Sequence, residues 1–390
     1  MHKMIKPVGL AVGILVLVLT GLDGQSGMSP VALPITGGSI VGAGFSPDSK
    51  RLALLVDVAS GGAPEPRRVL QILKLDLGRV VNETDVLKTE PASLSKNLHW
   101  IFYSPDERYL LLATYGSDVL SILDATTLNL LGQVALHPRR ELLNEQRHYF
   151  KGVVNVSSSS DGDLFGVLTH DELGDNEVFI GSYSSRQIKH HWSIGNGRTT
   201  TQLGQNGLSL NKDGSNVVVS ILPAENRPPK TFKNIRMYSS ATGQLVKSIR
   251  TDGLAGQLIL LPDEQVLISR IDVPSIFSSR ACIEEWNLST GTLAQHFCDE
   301  TGNVSVALGA SLARRRVAGF ASQMHKTIEG HVYAASGRVD VWDIRSGDLI
   351  ASSAEIPRLV ASVKIAPDGG LVLADGDLLR VTALRGSESR

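Results

Sequence analysis

The sequence carries none of the contiguous motifs that mark common catalytic machinery. Its 390 residues hold no G-x-S-x-G elbow, no H-E-x-x-H, no G-x-x-x-x-G-K and no G-x-G-x-x-G after a strand. No catalytic residue is assigned and no cofactor is expected. Charge of one sign is also missing. Lysine plus arginine number 38 against 39 aspartates and glutamates, with no basic block, so the clustered positive charge that nucleic-acid binding needs is absent. Cysteine is scarce, with two residues in all, far from a C-x-x-C pair. No histidine has a partner at zinc or non-haem iron spacing, and the acidic stretch Asp171 to Glu177 does not match a calcium loop. No metal is therefore expected. Long hydrophobic runs are missing as well. The longest, Val8 to Leu22, has 15 residues, short of the roughly 20 that span a bilayer.

What the sequence does contain is repetition. Val339-Asp340-Val341-Trp342-Asp343-Ile344-Arg345-Ser346-Gly347-Asp348-Leu349 is the clearest copy of one phrase. Tyr238, Thr242, Gly243 and Leu245 stand at the same offsets as Trp342, Ser346, Gly347 and Leu349, and so do Trp286, Thr290, Gly291 and Leu293. Leu123, Asp124, Thr127 and Leu130 keep most of the pattern, with Leu128 where the glycine should be. An alternating apolar strand, a turn with a hydroxyl cap and a residue tolerant of positive φ, and a second strand make each copy a β-hairpin. A second phrase falls between these copies at Ser46-Pro47-Asp48, Ser104-Pro105-Asp106, Ser160-Asp161-Gly162, Lys212-Asp213-Gly214, Leu261-Pro262-Asp263 and Ala366-Pro367-Asp368. Proline presets φ and aspartate bonds the following backbone, which marks another hairpin turn. The aspartates at 48, 106, 161, 213, 263 and 368 step by 58, 55, 52, 50 and 105. The last step is two periods, and the skipped unit runs through Val304 to Leu308, a degenerate turn at Gly309-Ala310, and Arg316 to Ala321.

Seven units of four short strands predict an all-β fold: a seven-bladed β-propeller of antiparallel blades. The chain resembles the WD-repeat and YVTN-type propellers, with Trp342-Asp343 where the eponymous dipeptide stands and Trp286-Asn287 one substitution away. No Gly-His dipeptide opens the units, so the buried hydrogen-bond network of the eukaryotic family is not carried over. The propeller is expected over residues 27–384, with a flexible tail at 385–390. Blades start near Ser39, Asn97, Lys151, Gly207, Gly256, Asn303 and Leu359, and Pro138 to Phe150 is a candidate surface helix. The last unit shows only three strands. Ser29 to Thr36 belongs to no unit and can supply the missing strand as the outermost of blade seven, where Pro30 and Pro34 are tolerable.

Residues 1–26 read as a targeting segment, with Lys3 and Lys6 before the apolar run and Gly24-Gln25-Ser26 as a small-x-small cleavage site. Cleaved, they give a secreted or periplasmic protein; uncleaved, an N-terminal membrane anchor. In an exported chain Cys282 and Cys298, flanking the turn at Thr290, read as a disulfide worth about 3 kcal/mol; two free buried thiols are the alternative.

The A–B and C–D turns are short and regular, so the long B–C and D–A connections collect on one face of the disc. The long connections are expected at Ala59 to Arg68, His137 to Lys151, His170 to Glu177, Gly195 to Gln205, Pro223 to Lys233, Val273 to Arg280 and Gln323 to Gly337. They place Arg67, Arg68, Arg139, Arg140, Arg147, His148 and Arg227 around Phe232, Phe277 and Tyr333. A cationic rim around aromatic anchors suits an acidic protein segment or a polyanionic envelope polymer; a solvated rim offset by nearby carboxylates is the plainer reading. The expected function is a protein-binding or scaffold module. The resemblance also admits an enzyme of the lactonase or quinone-dependent dehydrogenase kind, with its site at the central channel.

Overall fold

The structure is a computed structural model. It describes residues 27–35, 38–58, 67–86, 99–136, 150–171, 175–196, 207–221, 233–251, 254–271, 282–297, 304–326, 332–358, 360 and 362–382. The targeting segment and the tail lie outside these residues, as does the candidate helix except for Phe150, which opens a strand instead.

Seven four-stranded antiparallel sheets follow one another along the chain. Blades one to six span residues 38–85, 99–135, 150–196, 208–249, 254–297 and 304–352. Blade seven takes strands A to C from residues 363–381 and its outer strand from the other end of the chain. Met28–Val31 pairs antiparallel with Asp377–Val381, in the register Met28 to Val381 through Val31 to Leu378. The Thr382 N–H donates to the Gly27 carbonyl at 2.5 Å and continues the pairing. This strand is shorter than the stretch read from sequence, ending before Pro34, but Leu33 and Ile35 still pack on the cluster between blades seven and one.

Burial explains why the second strand of each blade reads as a continuous apolar run. In Arg51–Val58, Leu52, Leu54 and Val56 pack toward blade seven, while Ala53 and Leu55 pack toward blade two. Leu110 and Leu112 face back and Leu111 and Ala113 forward; Val217 and Val219 face back and Val218 forward. A strand buried on both faces has no polar side to show. The described apolar core falls into seven clusters, one at each junction between neighbouring blades. No blade therefore has a core of its own, and each depends on its neighbours for burial worth about 1.5–3 kcal/mol per aliphatic side chain.

Hydrogen bonds cross every one of these junctions. From blade one to two the Asp48 N–H donates to Glu107 Oε1 at 2.8 Å, and Arg51 pairs with the same glutamate. Onward around the ring come Gly116 N–H to Val153 O at 2.9 Å, Leu210 N–H to Ser157 Oγ at 3.1 Å and Leu260 N–H to Ser209 Oγ at 3.0 Å. Leu308 N–H to Gln257 Oε1 at 2.5 Å, Arg316 Nη1 to Gly369 O at 2.8 Å and Asp368 N–H to Ser49 Oγ at 2.9 Å close it.

Both repeated phrases are turns of the expected chemistry. In the first A–B turn Ser46 Oγ donates to Asp48 Oδ1 at 2.6 Å and accepts from Arg51 N–H at 2.9 Å, and Ser104 repeats both bonds in blade two. In the C–D turns Asp124, Asn287 and Asp343 each accept two backbone N–H groups through Oδ1. The N–H groups of Thr127 and Thr126 hold the Asp124 carboxyl below the ordinary carboxylate value. Gly243, Gly291 and Gly347 take φ of 68°, 69° and 77°, and Leu128 takes 60° at the same place. Leu128 stays because its side chain is 2% exposed in the cluster between blades one and two. Leu128→Gly relieves about 1 kcal/mol of left-handed strain and loses about 3 kcal/mol of buried leucine. The expected net effect is destabilisation by about 2 kcal/mol, a fall of about 3 °C in a calorimetric melt. A higher melting temperature would mean that strain outweighs burial here.

Three details of the sequence reading need correction. The sixth A–B turn is Leu312–Arg315, not Gly309-Ala310, because strand A of blade six runs through Val304–Ser311. Gly309 is required by crowding: a Cβ there would lie 2.8 Å from the Val363 carbonyl oxygen of blade seven. His170 to Glu177 is mostly paired strand, Leu164–Asp171 with Asp175–Ser182, and His170 Nδ1 lies 2.9 Å from Asn176 Oδ1. Gln323 to Gly337 is likewise mostly a ribbon, in which Arg316–Lys326 pairs with Val332–Asp343 as far as Lys326 opposite Val332.

Candidate functional site

The two faces of the disc differ in their connections. On one, every A–B and C–D turn between successive strands is four or five residues long. On the other, the B–C and D–A connections range from two residues at Asp375-Gly376 to fourteen between Ser220 and Ile235 and between Ala135 and Phe150. Uniform turns are fixed by the blade repeat, whereas connections free of it can vary, and variable loops on a rigid frame are where recognition is placed.

The sequence-predicted rim residues are only partly among the described ones. Arg67 and Arg68 open strand C of blade one, Arg67–Lys74, rather than ending a loop. Arg67 is half-exposed; its Nε lies 3.0 Å from Asp85 Oδ2, and its Nη2 lies 3.9 Å from Glu83 Oε1. Arg68 is buried at 7% exposure. Its Nε and Nη2 grip both oxygens of Asp57, at 2.6 and 3.0 Å, across the register pair of strands B and C. A bidentate pair at that depth fixes the blade. It takes Arg68 out of any docking surface. Tyr333 lies opposite His325 on the blade-six ribbon. Arg139, Arg140, Arg147, His148, Arg227, Phe232 and Phe277 lie outside the described residues, as does Cys298.

Other polar groups have structural employment. Trp286 Nε1 donates to buried Glu284 Oε2 at 2.8 Å. In blade six, fully buried Asp340 accepts from Ser352 Oγ at 2.6 Å and from Arg338 Nε at 3.1 Å. Each acid stands two residues before the tryptophan of its repeat. His191 stacks on Phe179 with ring centroids 5.5 Å apart. Among the described residues no three His, Cys, Asp or Glu side chains gather as a metal site, and no helix is long and apolar enough to cross a membrane.

The disc axis holds a cavity of about 570 Å³, lined chiefly by strands A of blades one, two, six and seven. Its ionisable lining residues are Lys364, Asp375 and Tyr103. Asp375 Oδ1 accepts the Ser362 N–H at 2.9 Å. Tyr103 is 5% exposed and lies under the Arg51 guanidinium; burial pushes its phenol well above its ordinary value. Lys364 sits in Val363–Ile365, whose two flanking residues face blade six. Its ammonium donates to the Ala43 carbonyl of blade one and lies 5.2 Å from the Phe102 ring centroid of blade two. Sequence reading passed over it, although a charge between two apolar residues of an innermost strand was a visible signal.

Comparison with known proteins bears on the fold. No family model matches the chain, and no curated protein matches it in sequence. Among solved structures it is similar to the β-propeller domain of Cps50 (Swd1) from Myceliophteria thermophila, with a TM-score of 0.60, 13% identity, and coverage of 91% of this chain and 100% of that one. It is also similar to a chain of the mitotic checkpoint complex, with a TM-score of 0.57, 12% identity, and coverage of 98% and 99%.

Proposed function

We propose that this chain is an exported WD-repeat-like β-propeller that acts as a protein-binding or scaffold module through its long-loop face. The observation that carries the reading is the asymmetry between uniform four- or five-residue turns on one face and connections of two to fourteen residues on the other. The interlocked ring holds the strand ends that carry those connections at fixed separations, which lowers the ordering cost of meeting a partner. One structural neighbour belongs to a multiprotein assembly by its own description, which is in keeping with such a role. The partner is a protein with an acidic segment or a polyanionic envelope polymer, met by Arg67, Arg139, Arg140, Arg147, His148 and Arg227 around Phe232, Phe277 and Tyr333.

Export by residues 1–26 belongs to the same reading, whether they are cleaved or kept as an anchor. Cleavage after Ser26 would leave Gly27, the first residue of the closing pairing, at the new N-terminus. A disulfide between Cys282 and Cys298 belongs to the same reading: Ile283 pairs with Phe297, and a ladder continued by one step would bring the two cysteines opposite each other.

The test is affinity capture from the exported fraction with the intact chain and with a variant carrying Arg67→Ala, Arg139→Ala, Arg227→Ala and Phe232→Ala. Arg345→Ala, on the exposed C–D turn of blade six, is the control on the opposite face. Capture is expected to fall at least about tenfold in the quadruple variant, as when one or more anchor residues are lost, and to persist in the control. Equal capture by both would place the docking surface elsewhere.

A further inference from the structure

One position of the repeat falls at the same place on the innermost strand of successive blades. Four residues before each turn aspartate stand Gly44, Phe102, Ser157, Ser209, Ile259 and Lys364. Ser157 and Ser209 use their hydroxyls to accept a backbone N–H of the next innermost strand. Lys364 makes the equivalent link to blade one through Ala43 O, and it is the one charged side chain in this set. It reaches Phe102, two blades away, across Gly44, which has no side chain to block the path. Glycine is enforced there because a Cβ would come within 2.4 Å of the Ile101 carbonyl oxygen.

An ammonium has three hydrogens to donate. Ala43 O takes one and the Phe102 face attracts the charge, but among the described residues no carboxylate pairs with Lys364. The residue is half-buried and lines the cavity. A cation held among protein atoms without a counter-charge is a costly arrangement, and an anion entering the cavity would relieve it. The neighbouring wall is apolar, with Ile40, Val41, Trp100 and Phe102, and the volume is that of small-molecule sites.

We infer that the axial cavity binds a small organic anion, a single carboxylate on an apolar or aromatic body, with Lys364 as the anchor for the carboxylate and Trp100 and Phe102 beside the body. The titratable groups around the anchor are Asp375, already engaged with Ser362 N–H, and Tyr103, which burial keeps neutral. Burial also lowers the Lys364 ammonium to about 8, so it is charged at neutral pH and loses its proton under mildly alkaline conditions. Affinity for an anion should therefore be present below that value and fall as pH rises through it.

The experiment is calorimetric titration of the full chain with 1-naphthoate, and with 1-naphthamide as its uncharged counterpart. One-site, saturable binding of the carboxylate is expected at pH 7, with the carboxamide at least about tenfold weaker. Lys364→Met should lose at least about tenfold toward naphthoate and little toward naphthamide, while Lys364→Arg retains most of the affinity. Raising the pH from about 7 to about 9.5 should weaken naphthoate alone. Absent saturable binding, a pH-independent naphthoate affinity, or Lys364→Met binding like the unaltered chain would each overturn the inference. Should Lys364→Met fail to fold, the carboxylate-to-carboxamide ratio and its pH dependence in the unaltered chain decide.

Discussion

Removing residues 1–31 is expected to lower the melting temperature by about 5 °C and to make the chain self-associate. The deletion takes away the outer strand of blade seven, with its four register pairs to Asp377–Val381, the 5% exposed Met28 and half-buried Val31. Burial of two apolar side chains and loss of the ladder bonds together amount to about 4 kcal/mol, or about 5 °C for a domain of this size. The loss is felt beyond blade seven, because Met28 packs against Phe320, Val341 and Ala351 of blade six in one cluster, while Val31 packs on blade one. The uncovered edge of Asp377–Val381 then presents free N–H and C=O groups to other molecules. Differential scanning calorimetry with light scattering measures both effects, and a chain lacking only residues 1–26 is the control. A melting temperature unchanged on going from the control to the longer deletion would show that the strand does not close the ring.

Arg68→Ala should cost about 3 kcal/mol, at the lower end for a buried ion pair deprived of one partner, because the Asp57 side chain retains 12% exposure. The penalty comes mainly from Asp57, whose carboxylate keeps its burial while losing both guanidinium hydrogen bonds. A double-mutant cycle separates this from lost packing: Asp57→Ala and Arg68→Ala together should cost clearly less than the two single losses added. The neighbouring Arg67→Ala, whose pairs are exposed, should move stability by less than about 1 kcal/mol. Denaturant unfolding of the unaltered chain and the four variants gives the values. Arg68→Ala with unaltered stability and lost capture would return this arginine to the docking surface.

Adjacent arginines with such different fates show where sequence reading stops. Turn chemistry is local, so the ladder from Asp48 to Asp368 located the blades to within a few residues, and the Leu128 exception was visible as a non-glycine where glycine belongs. The closing strand was legible for a topological reason: one unit was a strand short and one strand had no unit. What Arg68 does depends on Asp57 lying opposite it, a pairing that only the B–C register creates. The turn placed at Gly309-Ala310 failed in the same way, since the glycine answers to a carbonyl on the neighbouring blade. Lys364 required three blades to be brought together before its surroundings could be read. Of the candidate rim, the three described residues, Arg67, Arg68 and Tyr333, lie on strands where loop ends were expected.

The closed ring on which all of this rests can be tested by a covalent link between the two ends of the chain. Ser29 and Arg380 are register partners, so Ser29→Cys with Arg380→Cys should oxidise to an intramolecular disulfide, recovered as a single cross-linked peptide pair in a non-reduced digest, and should raise the melting temperature. A double variant that stays reduced under mild oxidation, or that links only between molecules, would contradict an N-terminal strand seated on blade seven.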